Sequence, residues 1–219
     1  MSSFDRRAVL KALARAAVAL TAGQLPAASG AAAAEAGSGG RTVQTMEAFA
    51  DTLIPGERRF AGDLPIAGAV SGPGAVQAGV IQTLTSQELP LAPLLPEIAA
   101  LLNARAVAYA ATHLVLLPIT VPAFVGLPFR HRTALVRGLF GHEEPDRVIW
   151  QMFSLLTGLA FDTAAHLDTR QALATGHPGL TWLGFPPPDP DGLWRFPDHS
   201  YGRALAALHP ATTASGSPA

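Results

Sequence analysis

Asp162 and His166 stand four residues apart in a stretch that reads as helical, the spacing at which a carboxylate and an imidazole meet on one helix face. Such a pair can supply two ligands of a metal site. It can equally act as acid and base, because burial and a neighbouring carboxylate both move an imidazole's proton affinity. A metal site needs a third ligand at a recognisable spacing, and His113 is the one candidate, although a lone histidine on an apolar helix is more often a core residue. The favoured reading is therefore a structural polar pair satisfied by hydrogen bonding, with no catalytic, cofactor-binding or metal-binding residue of the chain's own.

Other chemical motifs fail on inspection. The stretch SGPGAVQAGV (Ser71 to Val80) places glycines before a helix but has no preceding strand, no Gly-Lys-Ser/Thr and no dinucleotide spacing, so it reads as a close-packed helix start rather than a phosphate cradle. There is no Gly-x-Ser-x-Gly elbow and no His-Glu-x-x-His. The absence of cysteine excludes disulfides, thiolate metal sites and thioether-linked haem.

The elements that must position these residues are all helical. Met46, Phe49, Ala50 and Leu53 fall at i, i+3, i+4 and i+7, and Pro55-Gly56 stops that helix. Pro73 suits the first turn of a short helix reaching about Thr85, and Pro90, Pro93 and Pro96 form a connector. Glu97 to Leu117 is the longest apolar segment. Asn103, Arg105 and His113 interrupt it, which favours the central helix of a core over a membrane span. A helix is expected over Phe129 to Phe140, and a long one from Pro145 through Ala174 with the apolar stripe Val148, Met152, Leu155 and Leu159, which Asp162 and His166 continue. No strand-like alternation of any length occurs, so the fold class is all-α, a compact bundle of about five or six helices with a long irregular C-terminal segment.

That segment, Gly176 to Arg203, carries Trp182, Phe185, Trp194, Phe196 and Tyr201 among six prolines and is expected to form no helix. Its rings must be buried against the bundle or against another protein. Trp194, Arg195, Phe196, Tyr201 and Arg203 are the candidate partner interface, since Trp, Tyr and Arg dominate interface anchors.

At the other end, Arg6 and Arg7, followed by Leu10 and Lys11, match the register of a twin-arginine export signal, and Ala34-Glu35-Ala36 offers a small-residue cleavage site. The expected organisation is a signal peptide over 1–36, a flexible joint over 37–44, a single helical domain over 45–209 and a loose tail over 210–219. Removing the signal takes 15 basic residues to 11 and 16 acidic ones to 14, and the net charge from −1 to −3. About 180 residues remain, enough for one domain with a real core, and no basic nucleic-acid footprint exists. The address implies a periplasmic, cell-surface or extracellular location.

The order of these parts is itself informative: a twin-arginine leader, FADTLIPG from Phe49 to Gly56, a helical body, and a Gly/Pro/aromatic C-terminal segment. It resembles the small, gamma-type subunit (subunit 3) of gluconate 2-dehydrogenase and related sugar dehydrogenases, with Asp51 to Pro55 the most specific part. The tail from Asp191 to Arg203 is similar to that of a separate exported branch. The resemblance implies a non-catalytic subunit without a cofactor of its own. It would bind a large flavoprotein of the glucose-methanol-choline class, which carries the FAD, and provide the twin-arginine signal for the pair. Two other readings stay open: an independent metal-dependent enzyme using Asp162 and His166, and a stand-alone secreted helical binding protein.

Overall fold

The computed structural model describes residues 35–190 and residue 194. Eight α-helices occur among them: α1 (Glu35–Leu53), α2 (Val80–Leu84), α3 (Leu95–Thr112), α4 (Ala123–Gly126), α5 (Phe129–Leu139), α6 (Arg147–Thr163), α7 (Thr169–Ala174) and α8 (Pro178–Trp182), with a 3-10 turn at Ala92–Leu94. The fold is all-α, and no strand occurs among the described residues. Four of the helices are long, and the short ones bring the number above the expected five or six.

The centre of the bundle is α1, which packs against α2, α3, α4, α5 and α6. Central placement had been expected for the Glu97–Leu117 segment. All residues from Thr45 to Asp51 are buried, so this part of α1 is enclosed on every side rather than amphipathic, whereas Arg41, Val43 and Gln44 before it are exposed. The stretch expected as a flexible joint, 37–44, lies within α1. Extending a helix that packing already holds costs far less than starting one, so Gly37, Gly39 and Gly40 do not end it.

By length and composition α3, with the turn before it, could cross a membrane. Here it lays Leu95, Ile98, Ala99, Leu102, Ala106 and Ala110 into the core. It ends at Thr112, short of the expected Leu117, and His113 is its exposed C-terminal cap, stacked on the Tyr109 ring at 3.9 Å. His113 is therefore not a core residue. The helix expected at Phe129 is found, entered from Pro128 in an extended conformation.

The expected stripe of α6 holds only in part and its expected end does not: Met152 and Leu159 pack, partly buried, against the core. Val148 and Leu155 are about half exposed, whereas Ile149, Trp150, Phe153, Leu156, Thr157, Ala160 and Phe161 are buried. Two apolar stripes compete on this helix, and the one with the larger rings faces α1, where Phe49 meets Trp150 at 5.8 Å. The helix stops at Thr163 because Ala164 turns left-handed (φ 49°) and its N–H returns to the Leu159 carbonyl. A new helix starts at Thr169, where the Asp168 carboxylate accepts from the N–H groups of Arg170 and Gln171. Likewise the C-terminal segment, expected to lack helix, contains α8. Pro178 occupies its first turn, where a missing N–H costs nothing.

Candidate functional site

The buried polar residues of α1 all find partners outside their own helix or one turn back within it. Thr45 Oγ1 donates to the Arg41 carbonyl and accepts from Asn103 Nδ2 at 3.1 Å, while Asn103 Oδ1 accepts the Phe124 N–H at 2.9 Å. Asn103, read from sequence as an interruption of an apolar run, thus ties α1, α3 and α4 together. Glu47 receives a bidentate Arg59 fork at 2.7 and 3.0 Å, and the same guanidinium grips Asp63 at 2.8 and 2.9 Å. That hydrogen bonding holds the Asp63 carboxyl below the usual carboxylate range and raises Arg59 further above neutrality.

Asp51 begins the DTLIP stretch and is buried at the last turn of α1. One carboxylate oxygen accepts the Gly56 N–H at 3.2 Å and the other accepts the Ala67 N–H at 2.8 Å. Burial pushes its carboxyl above the ordinary range, against the two main-chain donors and the charge of Arg132, which act in the opposite sense. Arg132, on α5, was missed by the sequence reading. Its guanidinium is buried, and it donates to the carbonyls of Leu127 (2.9 Å), Pro65 (2.6 Å), Leu64 (3.0 Å) and Val125. Desolvation lowers it to about 10, so it remains a cation at neutral pH. A periodicity argument hides such a residue, because an arginine on a helix reads as solvent-facing.

These two residues fasten the irregular segment 54–79 over the end of α1. Gly56 and Gly74 lie back to back within it: a Cβ on Gly74 would meet Gly56 N and Ile54 O at 2.6 Å each. SGPGAVQAGV is thus close-packed as expected, with glycines where backbones touch, but the helix expected to start at Pro73 begins only at Val80, after a run of turns that ends at left-handed Gly79. Gly72 lies against the Trp182 ring, where a Cβ would come within 2.8 Å of two ring carbons. Trp182 itself remains 62% exposed, beside a loop that also exposes Phe60, Leu64 and Val70.

The Asp162–His166 pair is not formed. The break at Ala164 removes the helical spacing, and no hydrogen bond joins the two among the described residues. His166 Nδ1 instead lies 3.0 Å from Thr83 Oγ1. Thr83 Oγ1 also reaches the Gly79 carbonyl at 3.1 Å, so one hydroxyl lies between that acceptor and His166. His177 sits 6.0 Å away, accepting from Leu180 N–H at Nδ1 and donating from Nε2 to the Ala78 carbonyl. Burial, helped by His177, lowers the His166 pKa. Asp162 is exposed, and partial desolvation raises its carboxyl. Among the described residues, no group of three or more His, Cys, Asp or Glu side chains is placed to hold a metal ion.

Of the expected interface, Trp194 is described: its Nε1 donates to the Pro186 carbonyl at 2.9 Å and its ring meets Phe185 edge-on at 6.4 Å. It therefore packs, half-buried, on its own segment. Arg195, Phe196, Tyr201 and Arg203 lie outside the described residues, as do Arg6, Arg7, Leu10 and Lys11 of the export motif.

What the site can do is positional. Asp51 and Arg132 hold main chain of the 54–79 and 123–127 segments directly, while Glu47 acts through the Arg59 side chain and Thr45 through Asn103, an arrangement suited to presenting a surface. No curated protein and no solved structure matches the chain. Residues 40–219 match the model of a family described as "Family of unknown function (DUF5987)", and with most of its length covered the chain belongs to that family.

Proposed function

We propose that the chain is an exported, non-catalytic small subunit that binds a flavin-dependent oxidoreductase of the glucose-methanol-choline class and assists its folding and twin-arginine export. The observation that carries this reading is the loop built on the DTLIP stretch. Asp51 and Arg132 fix it over the end of α1, and it cradles the exposed Trp182 against Gly72. An exposed tryptophan on a rigid, glycine-lined support is the kind of anchor that dominates protein interfaces. Twin-arginine export serves proteins that fold before crossing, and a flavoprotein partner that folds around FAD would require that route. Arg6 and Arg7 would carry the address for both chains, and Trp194, Arg195, Phe196, Tyr201 and Arg203 would extend the contact from the C-terminal side.

The test is isolation of the tagged chain from the exported fraction of its host. The expected result is a co-eluting large subunit with stoichiometric FAD, retained inside the cell when this chain is deleted or when Arg6 and Arg7 are both changed to lysine. Trp182→Ala should weaken the complex about thirtyfold or more, as an interface anchor does, while the free chain keeps its melting temperature. Export of the flavoprotein at wild-type level without this chain would overturn the reading.

A further inference from the structure

The segment that leaves α3 is the most exposed apolar feature among the described residues. Leu114, Leu116 and Ile119 are 92, 95 and 94% exposed, while Val115 and Leu117 between them pack into the core. The segment is held firmly. Leu114 is left-handed (φ 53°), the Val115 N–H bonds to the Ala110 carbonyl at 2.9 Å, and Pro118 lies against Gly126, where a Cβ would come within 2.8 Å of its ring. Three aliphatic side chains are thus displayed on a fixed loop.

We propose that this loop is a membrane-surface anchor, dipping Leu114, Leu116 and Ile119 into the interfacial region of a bilayer that carries anionic lipid. Charge supports the occupant. From Ile98 to His142 the chain contains no aspartate or glutamate. Of the four arginines in that stretch, Arg105 pairs with Glu144 and Asp146 and Arg132 is buried. Arg130 and Arg137 remain, both exposed and two turns apart on α5. Arg130 is linked to the start of the loop through a chain of contacts: its Nε bonds to His131, His131 bonds to Tyr109, and Tyr109 stacks on His113 next to Leu114. An apolar tip in a stretch of chain that carries arginines and no acidic residue fits an anionic headgroup layer over hydrocarbon. Composition argues against a protein occupant, because leucine is under-represented among interface anchors and the loop offers no aromatic ring, unlike the Trp182 surface.

Flotation of the full chain with phosphatidylglycerol/phosphatidylcholine vesicles tests this, with phosphatidylcholine-only vesicles beside it. The expected result is binding to the anionic vesicles, weaker binding to the neutral ones, and loss of binding with added salt. Leu116→Asp combined with Ile119→Asp should lower the bound fraction about tenfold or more at an unchanged melting temperature, the leader being common to both proteins. Arg130→Ser should lower affinity roughly fivefold on anionic vesicles alone. Because the chain has no cysteine, Leu116→Cys carrying an environment-sensitive dye gives a direct second measure, its emission moving to the blue on vesicles. Four results would overturn the proposal: failure of the wild type to float, unchanged binding by the double variant, an unshifted dye on a bound chain, or a double variant that loses a protein complex while still floating.

Discussion

Oδ2 of Asp51 accepts the main-chain N–H of Ala67 at 2.8 Å, so the last turn of α1 holds a loop 16 residues farther along the chain. Asp51→Ala leaves that donor and the Gly56 N–H without their acceptor. A loss of about 2 to 4 kcal/mol is expected from denaturant unfolding, and Asp51→Asn, which keeps one acceptor oxygen, should lose less. A change below about 0.5 kcal/mol for the alanine variant, the size of an ordinary surface substitution, would show that the loop does not depend on it.

Arg132 bridges the same loop to the α4–α5 connection through four carbonyls. Arg132→Ala should cost about 3 kcal/mol or more by stranding those acceptors. Lysine keeps the charge but lacks the planar fork, so Arg132→Lys should lose more than half as much. Full rescue by lysine would mean that charge alone matters at this site.

Two glycines should respond in opposite directions. Gly74→Ala drives a Cβ into the backbone of Gly56 and Ile54, which cannot yield, and should destabilise by about 1 to 3 kcal/mol. Gly158 lies inside α6 with nothing within 4 Å of its would-be Cβ. Gly158→Ala should therefore stabilise by about 0.5 to 1 kcal/mol. Thermal melts read both, and a destabilised Gly158→Ala would contradict the open space there.

The folded chain lowers the pKa of His166 below the ordinary 6.5, by burial first and by His177 second. Below 6.5 the unfolded chain takes up a proton that the folded chain resists, so stability should rise with pH through that window and fall as pH drops through it. His166→Asn, which cannot titrate, should flatten the slope relative to wild type. Identical slopes in the two proteins would remove His166 from the pH response.

The helical class, the start of α5 after Pro128 and the stop of α1 at Pro55-Gly56 were all legible in the sequence, because apolar period and Pro/Gly punctuation act within a few residues. The break in α6 had a local signal too, since Asp168 and Gln171 have the spacing of a helix-starting cap; the apolar stripe running past it concealed the signal. The buried face of α6 was not legible, since its two apolar stripes are locally equivalent and only contact with Phe49 on α1 separates them. The partners of the polar residues were equally hidden. Thr83 lies 83 residues from His166, and Pro65 lies 67 residues from Arg132. Composition and spacing therefore determined that this chain folds as helices and where a few of them start or stop. Only the tertiary structure decided which helix is central, which arginine is buried and which histidine meets which threonine, because hydrogen bonds and packing between distant segments leave no periodic trace in the sequence.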